Sequence, residues 1–153
     1  RTITETDVVM FAGLSGDYNP LHVDHEFARQ SPFGRPIAHG LLGLSLVAGL
    51  GSNSPNVATD AFLGIRCWDF LKPAHIGDTV HVVTEVMSKQ LKSRRRGKVV
   101  WKRELINQEG QVVQSGMFET LVATAQAAQS RRGSNGEKSV AYESYVATHK
   151  VAQ

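Results

Sequence analysis

The feature that most constrains this chain is a run of fourteen residues, Ala38 to Gly51, with four glycines and only two polar side chains, His39 and Ser45. It is shorter than the ~20 residues a membrane-spanning helix requires. As a helix it is apolar on nearly every side, so other parts of the protein must surround it. Gly40, Gly43 and Gly49 each lower helix propensity by about 1 kcal/mol relative to Ala, and close approach of a neighbouring backbone is the expected compensation. A sheet wrapped around the helix would supply that neighbour.

Strand signals follow the run. Phe62 to Leu71, Thr79 to Met87, Val99 to Ile106 and Val112 to Val122 carry apolar or alternating character. Pro73 and Gly77-Asp78 mark a turn between the first two, and Glu109-Gly110 a hairpin turn between the last two. The expected order is therefore helices first, then an antiparallel meander, an α+β domain. Before the run, Thr4 with Asp7 three positions later starts a helix through Ala12 that Gly13 and Gly16 stop. Asp17-Tyr-Asn-Pro20 reads as a turn, and Asp24 caps a second short helix that Pro32 limits. From Ala125 onward the chain is small, polar and aperiodic, so residues 1–124 are read as one domain and 125–153 as a flexible extension.

Charge is unevenly placed. Residues 1–88 hold five Lys/Arg against nine Asp/Glu, residues 89–103 eight against none, and residues 104–153 four against five. The cations Lys89, Lys92, Arg94, Arg95, Arg96, Lys98, Lys102 and Arg103 thus form an anion-seeking strip on a mildly acidic body, a pattern that argues against indiscriminate nucleic-acid binding. Cys67 is the single cysteine, so no internal disulfide forms, and it reads as a small buried hydrophobe. The start has no apolar leader segment, which makes a cytoplasmic location the default expectation.

Asp17, Asn19 and His22 stand within six positions in the irregular connection around Pro20. Such a turn can aim a carboxylate and an imidazole at one point, the pairing that general acid and base chemistry needs near neutral pH. A solvated turn with an idle histidine is the plain alternative. At the start of the buried helix, the amide of Gly40 has no side chain in its way and can hold an oxygen that becomes negative during reaction. His39 beside it suits a structural hydrogen bond to backbone. No zinc, nucleotide or serine-hydrolase motif is present, and His25, His75, His81 and His149 lack metal-ligand spacing.

Ser15-Gly-Asp-Tyr-Asn-Pro-Leu-His-Val-Asp24, then Phe27-Ala28, Phe33-Gly34 and Ile37-Ala-His-Gly40, together resemble the hydratase motif of the MaoC-like dehydratase family, relatives of the (R)-specific enoyl-CoA hydratases. Phe70-Leu-Lys-Pro73 with Ile76-Gly-Asp-Thr-Val80 is similar to the family's turn between strands, so the likeness covers residues 1–123. The resemblance implies a hot-dog fold, an antiparallel sheet wrapped around the helix that begins near His39, paired with another such domain in a homodimer or larger homo-oligomer. It also implies hydration of a trans-2-enoyl-CoA, or dehydration of a 3-hydroxyacyl-CoA, as an activity of fatty acid metabolism. In that scheme Asp17 is the base, His22 orients water and helps deliver a proton, and Gly40 N–H polarises the thioester carbonyl. Asn19 steadies the loop, and Asn19 and His39 are placed beside the substrate. Arg94, Arg95, Arg96 and Lys98 are candidates for the phosphates of coenzyme A, in this chain or across the dimer. The resemblance calls for no metal and no cofactor beyond coenzyme A as thioester carrier, and for neither nucleic acid nor membrane as partner.

One position departs from the pattern. Many hydratases of this type carry a serine nine residues after the motif histidine, and here that residue is Ala48, with Ser45 one turn earlier. Two other readings stay open, a non-catalytic acyl-CoA-binding module, which draws on Ala48 and on the basic strip, and a thioesterase on the same fold. The absence of any carboxylate between Gly34 and Asp60 weighs against the thioesterase.

Overall fold

A computed structural model describes residues 1–52 and 55–134. Three helices come first: α1 (Glu5–Ser15), α2 (Pro20–Val23) and α3 (His25–Gln30). Thr4 and Asp7 form the expected capping box, each side chain bonded to the other's backbone, and Gly16 ends α1 in the left-handed region at φ 80°. Gly13 lies inside α1 and does not stop it. The second helix of the sequence reading is α3, capped by Asp24. Between them, Pro20 opens a one-turn helix, α2, where a plain turn was expected, because Asn19 accepts from the Leu21 N–H and Pro is preorganised for the first helical position.

The apolar run becomes α4 (Gly40–Ser52), followed by β1 (Thr59–Phe70), β2 (His81–Leu91), β3 (Arg96–Ile106), β4 (Val112–Ala123) and α5 (Ala125–Ser134). The strands form one antiparallel sheet in the order β1-β4-β3-β2. The expected meander holds only for β2, β3 and β4. β1 pairs with β4 at the opposite edge, and the segment with Pro73 and Gly77-Asp78 is a crossover between the two edges rather than a hairpin turn. Residues 1–3 tie onto that crossover through Ile3 N–H to Asp78 and the Thr2–Thr79 bridge. Glu109-Gly110 is a hairpin turn as expected, with Gly110 at φ 74°.

Helix α4 lies on one face of the sheet. Leu42, Gly43, Val47 and Gly51 are buried there, above a layer that includes Trp101, Leu105 and Phe118. The described residues do not surround the helix, since Leu41, Ser45, Ala48 and Gly49 face outward from them. Its glycines also meet a different neighbour from the one expected. A Cβ would strike side chains at three of them: Phe70 at Gly40, Gln114 at Gly43 and Arg103 at Gly51. At Gly49 nothing lies within 4 Å.

Two further expectations change. Cys67 is exposed, on edge strand β1. Residues 125–134 form a helix rather than irregular chain, and Thr124 opens it by accepting from Ala127 and Ala128 N–H groups. Residues 135–153, read as part of a flexible extension, lie outside the described residues. Among the described residues no helix is long and apolar enough to cross a membrane.

Candidate active site

The site forms where α1 ends, α2 turns and α4 begins. The Ser15 hydroxyl bonds the Asp17 N–H, and the Asp17 carboxylate accepts from the Asn19 N–H at 3.2 Å, so three side chains direct the loop locally. Asn19 spends its side-chain oxygen on the cap of α2. That one-turn helix carries His22 round to face Asp17, with Nε2 and Oδ2 3.9 Å apart.

The tautomer of His22 follows from its other nitrogen. Nδ1 lies 2.7 Å from the carbonyl oxygen of Ile37, which can only accept, so Nδ1 carries hydrogen. In the neutral ring Nε2 is then a lone pair aimed toward the carboxylate. Behind it, His39 stacks on the His22 ring with centroids 3.8 Å apart, and Nε2 of His39 donates to the backbone carbonyl of Asp17 at 2.9 Å. His39 is 3% exposed and also packs against Phe11. It supports the pair from behind, and the backbone bond matches the structural use read from the sequence. Its Nδ1 is buried without a partner.

Asp17, His22 and His39 each offer a ligand atom within 4.8 Å of the others, the one group among the described residues that could hold a metal ion. One nitrogen of each ring is already bonded to a carbonyl, which leaves one nitrogen on each ring and the Asp17 carboxylate as the remaining donors.

Next to this cluster a groove of about 330 Å³ runs along the start of α4, lined by Phe33, Ile37, Gly40, Phe70, Lys72 and Gln114 among others. The N–H groups of Gly40 and Leu41 open the helix, where no carbonyl of the same helix can reach them. Gly40 is needed as glycine because the Phe70 ring comes within 2.8 Å of where a Cβ would stand. Ser45 Oγ is committed to the Leu41 carbonyl of its own helix at 2.8 Å, and Ala48 faces outward. No hydroxyl from α4 therefore reaches the Asp17–His22 pair by either position.

The basic strip is not brought to this site. Leu105 pairs with Gln114 at the groove end of the sheet and Arg96 with Ala123 at the far end. Nine positions at ~3.3 Å each separate them by about 30 Å. Part of the strip is also consumed internally. Arg96 bonds Asp60 at 3.0 Å, Lys98 bonds Glu119 at 3.1 Å and Lys102 bonds Glu104 at 2.8 Å. Lys98 and Arg66 together hold the Glu119 carboxyl below the usual range. Arg103 is buried beneath α4, its guanidinium donating to the Gly51 carbonyl at 2.9 Å, and loss of water pulls its pKa below the ordinary value. Arg94 and Arg95, at the hairpin tip, have no carboxylate partner among the described residues.

Sequence reasoning did not find the Ile37 carbonyl, Phe70 or Gln114. The signal for Gln114 was a lone amide in the inward row Gln114, Gly116, Phe118, Thr120 of β4.

Comparison with known proteins gives a consistent picture. The family model described as MaoC like domain matches residues 1–109. A 3-hydroxybutyryl-CoA dehydratase from Methylorubrum extorquens is 38% identical over 100 residues, 65% of this chain and 62% of that protein, so the match spans less than two thirds of this curated relative's length. The solved structure of an R-hydratase from Pseudomonas aeruginosa is 30% identical with a TM-score of 0.68, covering 80% of this chain and 76% of that one. A Mycobacterium tuberculosis protein described as having a double hot-dog fold is similar at a TM-score of 0.72 and 18% identity, covering 81% of this chain and 39% of that one, a likeness of fold alone.

Proposed function

Because the chain belongs to the MaoC-like domain family and has the family's hot-dog fold, we propose that it is a hydro-lyase that adds water to a trans-2-enoyl-CoA, or removes it from the 3-hydroxyacyl-CoA, without a metal or redox cofactor. The observation that carries this reading is the 3.9 Å separation of Asp17 Oδ2 and His22 Nε2 with the imidazole tautomer set by the Ile37 carbonyl. A water molecule between them donates one hydrogen to each and keeps a lone pair for the substrate.

The steps follow from that geometry. Asp17 takes a proton as the water oxygen bonds to the β-carbon, and the double-bond electrons move toward the thioester oxygen. The Gly40 N–H stabilises the charge gathering there, since an unpaired amide at a helix start is already oriented for an anion. The proton then passes by way of His22 to the α-carbon, the enolate collapses, and one water has been added in total. The apolar groove beside Gly40 suits the acyl or pantetheine portion. Arg94 and Arg95 suit the phosphates of coenzyme A, and their distance from the groove favours delivery by a second copy of the chain.

The test is the loss of enoyl absorbance when the protein meets a short trans-2-enoyl-CoA, run beside Asp17→Asn and His22→Gln. The expected result is hydration by the wild type and a fall in kcat of ~100-fold or more in each variant. A wild type that leaves the absorbance unchanged across short and medium chains overturns the reading and favours a binding module.

A further inference from the structure

A buried amide stands in the wall of the groove. Gln114, on the inner face of β4, is 3% exposed. Its Nε2 donates to the Gly40 carbonyl at 3.1 Å and its Oε1 accepts from the Trp68 indole at 3.1 Å. Each partner has one role only, as an indole N–H can only donate and a carbonyl only accept, so the amide has one workable orientation. The helix is cut away to admit it. A Cβ on Gly43 would lie 2.1 Å from Nε2, and a glycine inside a helix is otherwise disfavoured relative to Ala. The bond falls on the first carbonyl of α4, one residue's backbone away from the N–H assigned to the thioester oxygen.

We propose that Gln114 is a positioning residue for the hydration reaction: by holding the Gly40 carbonyl it anchors the Gly40–Leu41 peptide and the Gly40 Cα, so that the start of α4, with the Gly40 N–H on the other side of that Cα, stays in place beside the oxygen that gains charge. The inference rests on the hydratase reading above. Packing of the Phe70 ring over Gly40 limits how far the helix end can shift but does not hold the Gly40 carbonyl in one direction. The Gln114 bond does. Alignment is what an oxyanion donor depends on, since a misplacement of ~1 Å can cost up to ~100-fold in rate.

Gln114→Glu tests it. The variant keeps the shape and the acceptor for Trp68, but when ionised it has no hydrogen for the Gly40 carbonyl. The expected result is kcat lower by ~10-fold or more with KM within ~3-fold. The ratio of variant to wild-type kcat should also rise as pH falls, because a protonated carboxyl donates again. Trp68→Phe retains the Gln114–Gly40 bond and should hold kcat within ~3-fold of wild type. Gln114→Met, similar in size and lacking both bonds, decides the matter if the Glu variant does not fold: a loss in kcat supports the inference, and a loss confined to thermal stability or KM overturns it. Equal deficits in the Glu and Trp68 variants, with no pH dependence in the former, also overturn it. An active wild type with a fully active Glu variant sinks the role of Gln114 alone, whereas an inert wild type sinks the hydratase reading and this role together.

Discussion

At the scale of single residues, the glycines of α4 separate what helix propensity demands from what packing demands. Gly43 is a notch for Gln114, whereas a Cβ on Gly49 would meet nothing within 4 Å. Gly49→Ala should therefore raise stability by ~0.5–1 kcal/mol through a less flexible unfolded chain. Gly43→Ala should lower it by ~1–3 kcal/mol, because the new methyl must displace a buried, doubly bonded amide. Thermal unfolding of the two variants checks both signs. From the sequence these two glycines look alike. Among the candidate site residues Asp17 and His22 were more legible: they stand five positions apart, so local turn and cap chemistry brings them together, whereas Gly40 is joined to them through the long-range bonds of His22 to Ile37 and His39 to Asp17. His39 was also read as bonded to backbone, and its partner is the Asp17 carbonyl.

At the scale of elements, α1 owes its start to two side chains. Thr4 bonds the Asp7 N–H, and the Asp7 carboxylate is held below its ordinary pKa of 3.8, first by the Thr4 N–H, then by the Thr4 hydroxyl and Arg1. Thr4→Ala should cost about 1 kcal/mol, a drop in Tm of ~2–4 °C for a chain this size. The sign with pH is set by the lowered carboxyl. Its contribution is complete above 3.8 and is lost as pH falls through the lower folded value. The Tm gap between wild type and Thr4→Ala should accordingly hold near neutral pH and narrow as pH falls below 3.8 through the lowered folded value, which a thermal scan at several pH values reads directly. Caps were legible because their partners lie three residues apart. The pairing of β1 with β4 was not, because strand order depends on which edge the crossover of residues 71–80 reaches.

At the scale of the whole molecule, one chain does not complete the arrangement its sequence suggested. Among the described residues nothing covers one side of α4, and the hairpin tip with Arg94 and Arg95 lies at the far end of the sheet from Asp17 and His22. If a second copy delivers those cations, the double variant Arg94→Glu, Arg95→Glu should raise KM for an enoyl-CoA by ~10-fold or more with little change in kcat, the loss expected for charge-assisted bonds to phosphate. Mixing that variant with Asp17→Asn, followed by subunit exchange, should recover activity that neither shows alone at low substrate, since one site per mixed dimer then has both a native Asp17 and a native hairpin. Recovery absent under conditions where exchange is demonstrated would assign the cations to some other role.

The sequence by itself determined the features that depend on near neighbours in the chain. These are the capped helices, the four strands, the acid-base turn and the glycine at the start of the central helix, and the combined motif was enough to indicate the family. Only the tertiary structure decided which partners those groups meet across long separations. It placed Gln114 of β4 against Gly43, set the Ile37 carbonyl on His22, buried Arg103 under the end of α4, and carried the basic hairpin away from the site. The physical reason is that hydrogen bonding and backbone preference act over a few residues, while strand order and side-chain packing depend on the whole chain closing on itself.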